Sequence, residues 1–509
     1  MSPHPPEPVA PSRTDPVVAA ASQVIGGPFG RYATLARHTA RSAWLQAAAV
    51  LTAISSLTVA LGVLQKGPCF GKGWNSPDQF WHACYSDLPL VYQSSNLGHA
   101  MPYLPGAQPL DQPLVSGVVM WLVALLVPDG SALVQQQWYF ALWAVLVTVI
   151  VVALVAVTAA SVPNAPWRAA HVALSPVLLL AALVSVDLLG VLLASAALLA
   201  WGRGRITFAG ILFGLAISAR SYPLVLLVAI GLLAVRSGRV GPWARLAATA
   251  LATWLVVSLP WLLINPDGLL SVYRTWWRAA AGYGSPWMAA SLLGHGLPQS
   301  AVTVLPILGW LTALVVGALF ALTLDRRPTV AEISLVMLVI VLVTSKSLPP
   351  QAGLWLLPLI AMAGVKWRDH LIWAGFEVTY FVAVWLYIAG IGTPQRGLPA
   401  RLYSVLLLMR LAAMLFLLVQ VWRAARSRTP LAPEPVDLQQ DDVLYEDEVD
   451  PLAGPMAGAP DQVLVRLRRG PGPGTPRRPA CDFGSCVISG RAWSRVGLIS
   501  GRGQLPVRS

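Results

Sequence analysis

Charge is scarce in this chain. Only 11% of its 509 residues are Asp, Glu, Lys or Arg, against 56% hydrophobic, whereas soluble domains carry about a quarter charged residues. That deficit excludes an ordinary soluble globular domain and points to a membrane protein. Lysine is scarcer still: of 35 basic residues only four are lysines, Lys66, Lys72, Lys346 and Lys366. The four cysteines fall into two local pairs, Cys69 with Cys84 and Cys481 with Cys486. The second pair has no further cysteine or histidine at ligand spacing, which argues against a zinc site. The first pair is either a disulfide closing a short loop or two free thiols. No Gly-rich phosphate loop, HExxH, GxSxG or Cys/His metal cluster occurs, so no loop carries a motif for a sugar nucleotide or ATP. The formal charge of +13 does not indicate nucleic acid, because the arginines are scattered between hydrophobic runs without interleaved aromatics.

What the chain has in abundance is apolar sequence. Spans need about 20 apolar residues, and twelve candidates occur: 44–64, 138–160, 167–185, 187–201, 206–220, 222–236, 243–263, 301–324, 329–346, 348–365, 371–391 and 402–424. A shorter run, 114–127, follows Pro113. If it lies as a half-span on the outer side, both termini are cytoplasmic. Arg168, Arg203, Arg205, Arg236, Arg239, Arg245, Arg326, Arg327, Lys366, Arg368, Arg423, Arg426 and Arg428 then all face the cytoplasm, as the positive-inside rule requires. A full crossing would invert that pattern. Residues 1–43 are Pro/Ala/Ser-rich without a cleavable leader pattern and read as a disordered cytoplasmic N-terminus. Residues 44–425 form the transmembrane domain. Residues 426–509, an acidic stretch followed by Pro/Gly/Arg-rich sequence, read as a disordered cytoplasmic tail.

The same topology places Asp187, Arg220 and Lys346 at span ends on the outer face, with Asp87 and the loop 264–300. Asp87, in "WHACYSDLPLVYQ", is a carboxylate among apolar and aromatic neighbours, suited either to a general base of raised pKa or to capping a short helix. Arg220 interrupts "ISARSYPLVLL", where it reaches either the interface or an anion such as a lipid phosphate, with the Tyr222 hydroxyl beside it. Lys346, in "VTSKSLPPQAGLWLLPL", is either a second phosphate ligand or an interfacial anchor, and Gln351 on the same turn is a candidate ligand for a sugar hydroxyl. Asp187 caps a helix, binds a hydroxyl or pairs with Arg220. The loop "NPDGLLSVYRTWWRAAAGYGSPWM" mixes Tyr273, Trp276, Trp277, Tyr283 and Trp287 with Arg274 and Arg278. Such a mixture serves as a membrane-interface belt or as a sugar platform. His295 follows as an alternative base or a structural histidine. Glu377 and Arg410, inside predicted spans, are assigned no chemistry.

These stretches resemble a known family. "CYSDLPLVYQ" is similar to the Tyr-Ser-Asp-Ile-Pro motif of actinobacterial GT-C-type membrane glycosyltransferases, in particular the polyprenol-phosphate-mannose-dependent mannosyltransferase group. "PLDQPLVSG" resembles Glu-Tyr-Pro-Val-Leu-Thr-Gly, and "LSPVLLLAALVSVDLLG" the Ser-Pro…Asn-Trp-Asp-Leu-Leu segment. "ARSYPLVLL" resembles Lys-x-Tyr-Pro-Leu, "WWRAAAGYGSPWM" an Arg…Gly-Ser-x-Trp loop, and "KSLPPQAGLWLLPL" Lys-x-x-Ser-Pro-Gln-x-x-Leu-Trp-Leu. The six stretches occur in order across residues 44–425. Several positions depart from the pattern: Ser185 and Val186 stand for Asn-Trp, Arg220 for lysine, Pro350 for serine, and Asp111 with Gln112 for Glu-Tyr. The second acid of a metal-binding pair is missing beside Asp87, so no metal or other cofactor is expected.

The resemblance implies an all-α, GT-C-like polytopic fold of about 12–13 transmembrane helices. It also implies an inverting transfer of a sugar, mannose in that group, from a polyprenyl-phosphate carrier at the outer face of the plasma membrane. Asp87 takes the catalytic position; Arg220, Tyr222 and Lys346 bind donor phosphate. Asp187, Gln351, Arg274, Arg278, Tyr283, Trp287 and His295 hold sugar or acceptor, a cell-envelope glycolipid or glycan. Two alternatives stand beside this reading: a transporter or flippase of lipid-linked envelope intermediates, and a non-catalytic partner subunit.

Overall fold

The computed structural model describes Val17 and residues 40–108, 110–427 and 450–465. The described residues contain helices and no β-strand, so this is an all-α protein. In chain order the helices are α1 (Ala40–Gln65), α2 (Gly67–Lys72), α3 (Asp78–Trp81), α4 (Asp87–Ser94), α5 (Leu114–Ala124), α6 (Ala132–Ser161), α7 (Ala170–Ala173), α8 (Pro176–Ala181), α9 (Asp187–Gly202) and α10 (Ile206–Ala219). They continue as α11 (Pro223–Arg236), α12 (Val240–Ile264), α13 (Pro266–Arg278), α14 (Pro286–Leu292), α15 (Gln299–Thr323), α16 (Val330–Val343), α17 (Leu357–Ala363), α18 (Trp367–Gly392) and α19 (Ala400–Ser427).

Among the described residues α1, α6, α12, α15, α18 and α19 are long and apolar enough to cross a membrane, which makes the chain a multi-pass membrane protein. The helices α5, α9, α10, α11 and α16 are apolar but only 10–17 residues long. At about 1.5 Å per residue these fall short of the hydrocarbon thickness, and packing by neighbours completes their surroundings. The helix α16 is the extreme case: every side chain from Val330 to Leu342 is buried, as expected of a helix apolar on all faces. It begins with a capping box in which Thr329 accepts from the Glu332 N–H and Glu332 accepts from the Thr329 N–H. On α10, Gly210 and Gly214 let α12 approach so closely that a Cβ on either would lie 2.6 Å from atoms of that helix, a small-xxx-small contact of the kind membrane helices use.

Several stretches differ from the sequence reading, among them 348–365, which is a 3₁₀ helix (Pro350–Trp355) followed by α17. The span expected over 167–185 is broken into a 3₁₀ turn (Pro166–Ala169), α7 and α8. Ser175 is held extended ahead of Pro176, and its hydroxyl caps a new helix by accepting from the Val177 N–H at 3.3 Å. The aromatic loop contains a helix, α13. Asn265 accepts from the Gly268 N–H at 3.1 Å with Pro266 in the first turn, a strong start signal.

The helices α9 and α11 begin, and α16 ends, at one end of the bundle, the end that carries Asp187, Arg220 and Lys346. At the other end lies residue range 450–465, part of the stretch read as a disordered tail and here packed on the helices. Asp450 accepts from the Val330 N–H at 2.8 Å, and Leu452 and Met456 are buried. The Gln462 and Val463 N–H groups donate to the Arg236 carbonyl at 2.7 and 3.1 Å, and the Val465 N–H to Leu322 at 2.9 Å. Asp461 accepts from buried Arg236 at 2.6 Å and from Arg327 at 2.6 and 2.8 Å. The rest of the tail, with Cys481 and Cys486, and most of the N-terminal stretch lie outside the described residues.

Candidate active site

Five consecutive residues, 83–87, are each tied down separately. Gln65 Nε2 donates to the Ala83 carbonyl at 2.6 Å, and Lys66 Nζ to the Tyr85 carbonyl at 2.8 Å. Cys84 is bonded to Cys69, so of the two alternatives for this pair the disulfide is the one formed. The Ser86 hydroxyl donates to the Leu183 carbonyl at 2.7 Å, and the Asp87 N–H to Val184 at 2.7 Å. The segment is thus held from the end of α1 on one side and from the turn before α9 on the other, and both together fix where α4 starts.

Capping of α4 is done by Ser86, whose oxygen accepts from the Leu88 N–H at 3.3 Å. Asp87, one residue on, is left to face the site. Its Oδ1 accepts from the Tyr85 hydroxyl at 2.5 Å. Burial pushes its pKa up to about 6, with the nearby Asp187 carboxylate acting in the same direction, while the Tyr85 hydroxyl, Arg220 and Lys66 oppose the rise. Burial, reinforced by Asp87, also raises the Tyr85 phenol, which keeps it a proton donor to the carboxylate. The ring of Tyr85 is fixed between Phe80 and Trp385, at 5.5 and 4.5 Å between centroids.

Asp187 opens α9 without capping it. Its Oδ1 accepts from Arg220 Nε and pairs with Nη2, and its Oδ2 accepts from Trp355 Nε1 at 3.1 Å. Of the roles open to Asp187 in the sequence, the pair with Arg220 is formed and the helix cap is not. Arg220 Nη1 donates to Gln112 Oε1 at 2.9 Å, so the residue ahead of the half-span α5 joins the same cluster. Tyr222 stacks on Trp355 with centroids 4.8 Å apart, and its hydroxyl lies 3.5 Å from the Gly190 carbonyl. Gly190 leaves the arginine little room: a Cβ on it would sit 3.0 Å from Arg220 Cγ.

Lys346 is placed differently. Its Nζ donates to the carbonyls of Trp276 and Trp277, at 2.9 Å each, and lies over the Trp276 ring. It therefore caps the C-terminus of α13, as cations do. The cations acting on the Asp87 carboxylate are Arg220 and Lys66. Residues 282–284 pair with 346–348 through Gly282 N–H to Lys346 and Leu348 N–H to Tyr283. Trp287 Nε1 donates to the Thr344 carbonyl at 3.3 Å, and Tyr283 meets Tyr387 edge-on. Arg274 is exposed and pairs with Asp267; with Leu270, Tyr273, Trp277 and Arg278 it lines an open surface depression. His295 is exposed, its N–H bonded to the Ala290 carbonyl. Gln351, on the turn that carries Trp355, has a buried side-chain oxygen with no partner among the described residues, an acceptor available to a hydroxyl. Below that turn the buried pair Glu377–Arg410 holds the Leu348 and Pro349 carbonyls.

The cluster thus brings together Asp87, Asp187, Arg220 and Tyr222, all of them sequence candidates. It adds Lys66, Tyr85, Gln112 and Trp355, to which the sequence assigns no role. Among the described residues no group of three His, Cys, Asp or Glu side chains is arranged to hold a metal ion.

Residues 112–345 match the sequence model of glycosyltransferase family 87. The match begins at Gln112 and includes Asp187 and Arg220. No curated protein matches the chain by sequence. Among solved structures the chain is similar to ArnT from Cupriavidus metallidurans bound to undecaprenyl phosphate, at 15% identity and a TM-score of 0.38, over 76% of this chain and 81% of that one.

Proposed function

We propose that this chain is a GT-C-type membrane glycosyltransferase that moves a sugar, mannose in our reading, from a polyprenyl-phosphate carrier to a cell-envelope glycolipid or glycan. The observation that carries the reading is the meeting of a half-buried carboxylate, Asp87, which caps no helix, with the Asp187–Arg220 pair at one end of an apolar bundle. The family 87 match over residues 112–345 supports the reaction class. The proposed active site lies on the extracytoplasmic face, both termini being cytoplasmic, because Arg203, Arg205, Arg236 and Arg239 flank the opposite ends of α9 and α11.

In this mechanism Asp87 removes the proton of an acceptor hydroxyl. The hydroxyl oxygen bonds to the anomeric carbon while the bond from that carbon to the phosphate oxygen breaks, with inversion. The proton resides on Asp87, and the electron pair leaves with the polyprenyl phosphate. Arg220, oriented by Asp187 and Gln112, faces the charge that develops on the leaving phosphate, a role suited to a guanidinium. Tyr222 adds a hydroxyl beside it. Gln351 receives a sugar hydroxyl on its unpaired oxygen. Lys346 serves by holding α13, whose Arg274, Arg278 and aromatic face, with Tyr283, Trp287 and His295, meets the acceptor and the membrane surface. No divalent ion takes part in this scheme.

The test is purified protein incubated with polyprenyl-phosphate mannose and a panel of envelope acceptors. Release of free polyprenyl phosphate together with a glycosylated product supports the reading. Movement of intact lipid-linked sugar across sealed vesicles, without product, would replace it with the flippase alternative.

A further inference from the structure

A buried lysine next to the candidate base remains unused by this mechanism. Lys66 follows α1 and is 0% exposed. Its Nζ donates to the Tyr85 carbonyl at 2.8 Å and lies 5.2 Å from the centre of the Phe381 ring. An ammonium has three N–H donors; here one has a carbonyl and another side of the group has an aromatic face. A full charge so placed is costly. Lys66 is also two bonded steps from the base: Nζ to the Tyr85 carbonyl, and the Tyr85 hydroxyl to Asp87 Oδ1. The neighbouring disulfide, Cys69–Cys84, and the Gln65–Ala83 bond brace the same junction.

Building on the proposed function, we infer that Lys66 is a positioning residue for Asp87: it holds the Tyr85 backbone so that the phenol meets the carboxylate, and it supplies the positive charge that favours the ionised, proton-accepting form. The charged and titratable groups acting on Asp87 are Tyr85 from its own segment, Lys66 from the end of α1, Asp187 from α9 and Arg220 from the α10–α11 junction. The packed helix α18 contributes Phe381 and Trp385, which do not titrate. Burial brings the Lys66 ammonium down to about 7, against the pull of Asp87, so its charge is present through the range in which Asp87 ionises.

The experiment compares wild type, Lys66→Met and Lys66→Arg in full-length purified protein, reading kcat, KM for polyprenyl-phosphate mannose and the pH profile. Lys66→Met should raise the Asp87 pKa and move the acid limb up by about one pH unit, lowering kcat about tenfold near pH 5 but only about twofold near pH 7. KM for the carrier should stay within about twofold, since Lys66 acts on the base and not on the phosphate. Lys66→Arg, with the charge kept, should leave the acid limb in place. A Lys66→Met enzyme with unchanged kcat and limb overturns the inference. If Lys66→Met does not fold, Lys66→Arg decides, because a displaced limb in that charge-preserving variant contradicts the assignment. Failure of the underlying reading looks different: wild type itself would then release no carrier phosphate.

Discussion

The backbone N–H of Asp87 donates to the carbonyl of Val184 at 2.7 Å. That bond joins a loop after the first long helix to the turn three residues before Asp187, and through Asp187 to Arg220. One backbone contact between residues almost a hundred positions apart thus brings the candidate base to the candidate phosphate ligand. The consequences are measurable.

The first concerns pH. Asp87 accepts a proton only when ionised, and burial pushes its pKa up to about 6. Transfer should therefore be near its plateau above about pH 7 and fall as pH drops through about 6. A profile of kcat/KM against pH for purified protein checks this. No fall between about pH 5 and 7 would contradict it.

Gly190 tests the phosphate side without touching a charge. A Cβ there would meet Arg220 Cγ at 3.0 Å, and Arg220 has no slack because Asp187 and Gln112 hold its head. Gly190→Val should displace the guanidinium and lower kcat/KM by about ten- to a hundredfold, given the sensitivity of transfer to small misplacements. Gly71, where a Cβ would meet nothing within 4 Å, is the control, and Gly71→Ala should leave turnover unchanged. Equal activity of the two variants would argue that Arg220 does not serve the reaction.

The Cys69–Cys84 disulfide closes a loop of sequence separation 15, and both cysteines are buried. Loop-closure entropy for that length is about 3 kcal/mol. Cys84→Ser, or reduction, should lower the thermal midpoint in detergent and reduce transfer, because residue 84 lies in the segment that sets Asp87. An unchanged midpoint and rate would separate the disulfide from the site.

The segment 450–465 predicts a sharp boundary in truncations. Ending the chain after Val465 should preserve thermal stability, whereas ending it after Ser427 removes the partner of buried Arg236. Asp461→Ala removes the carboxylate but leaves Arg236 its bonds to the Ala321 and Asp325 carbonyls, and should cost about 1–3 kcal/mol, read as a lowered midpoint. Identical midpoints for the two truncations would show that this segment contributes nothing to the folded bundle.

The all-α membrane class and the meeting of Asp87, Asp187 and Arg220 are legible in the sequence, because a charge in an apolar run is conspicuous and costly and needs a reason. Gln112 and Trp355 are harder to see. Neutral polar and indole side chains are common at membrane interfaces, so only the distances to Arg220 and Asp187 mark them. Lys346 stands out by its rarity, yet the group it satisfies is a helix C-terminus in a stretch that reads as a loop. Hydropathy alone also joins 167–185 into one span, since the Ser175–Pro176 start signal lies inside an unbroken apolar run. The packed segment 450–465 is hidden for the opposite reason: its Pro/Gly-rich composition resembles disordered sequence, and it is anchored by a few side chains, Leu452, Met456 and two aspartates among them, and by backbone bonds that no residue type announces.

The most direct measurement is single-turnover transfer from radiolabelled polyprenyl-phosphate mannose by wild-type and Asp87→Asn protein, with carrier binding measured in parallel. The asparagine variant should bind the carrier as wild type does and transfer about 10²–10⁴-fold more slowly, the usual contribution of a general base. Wild-type transfer by Asp87→Asn would remove the carboxylate from the chemistry and with it the mechanism assigned to this site.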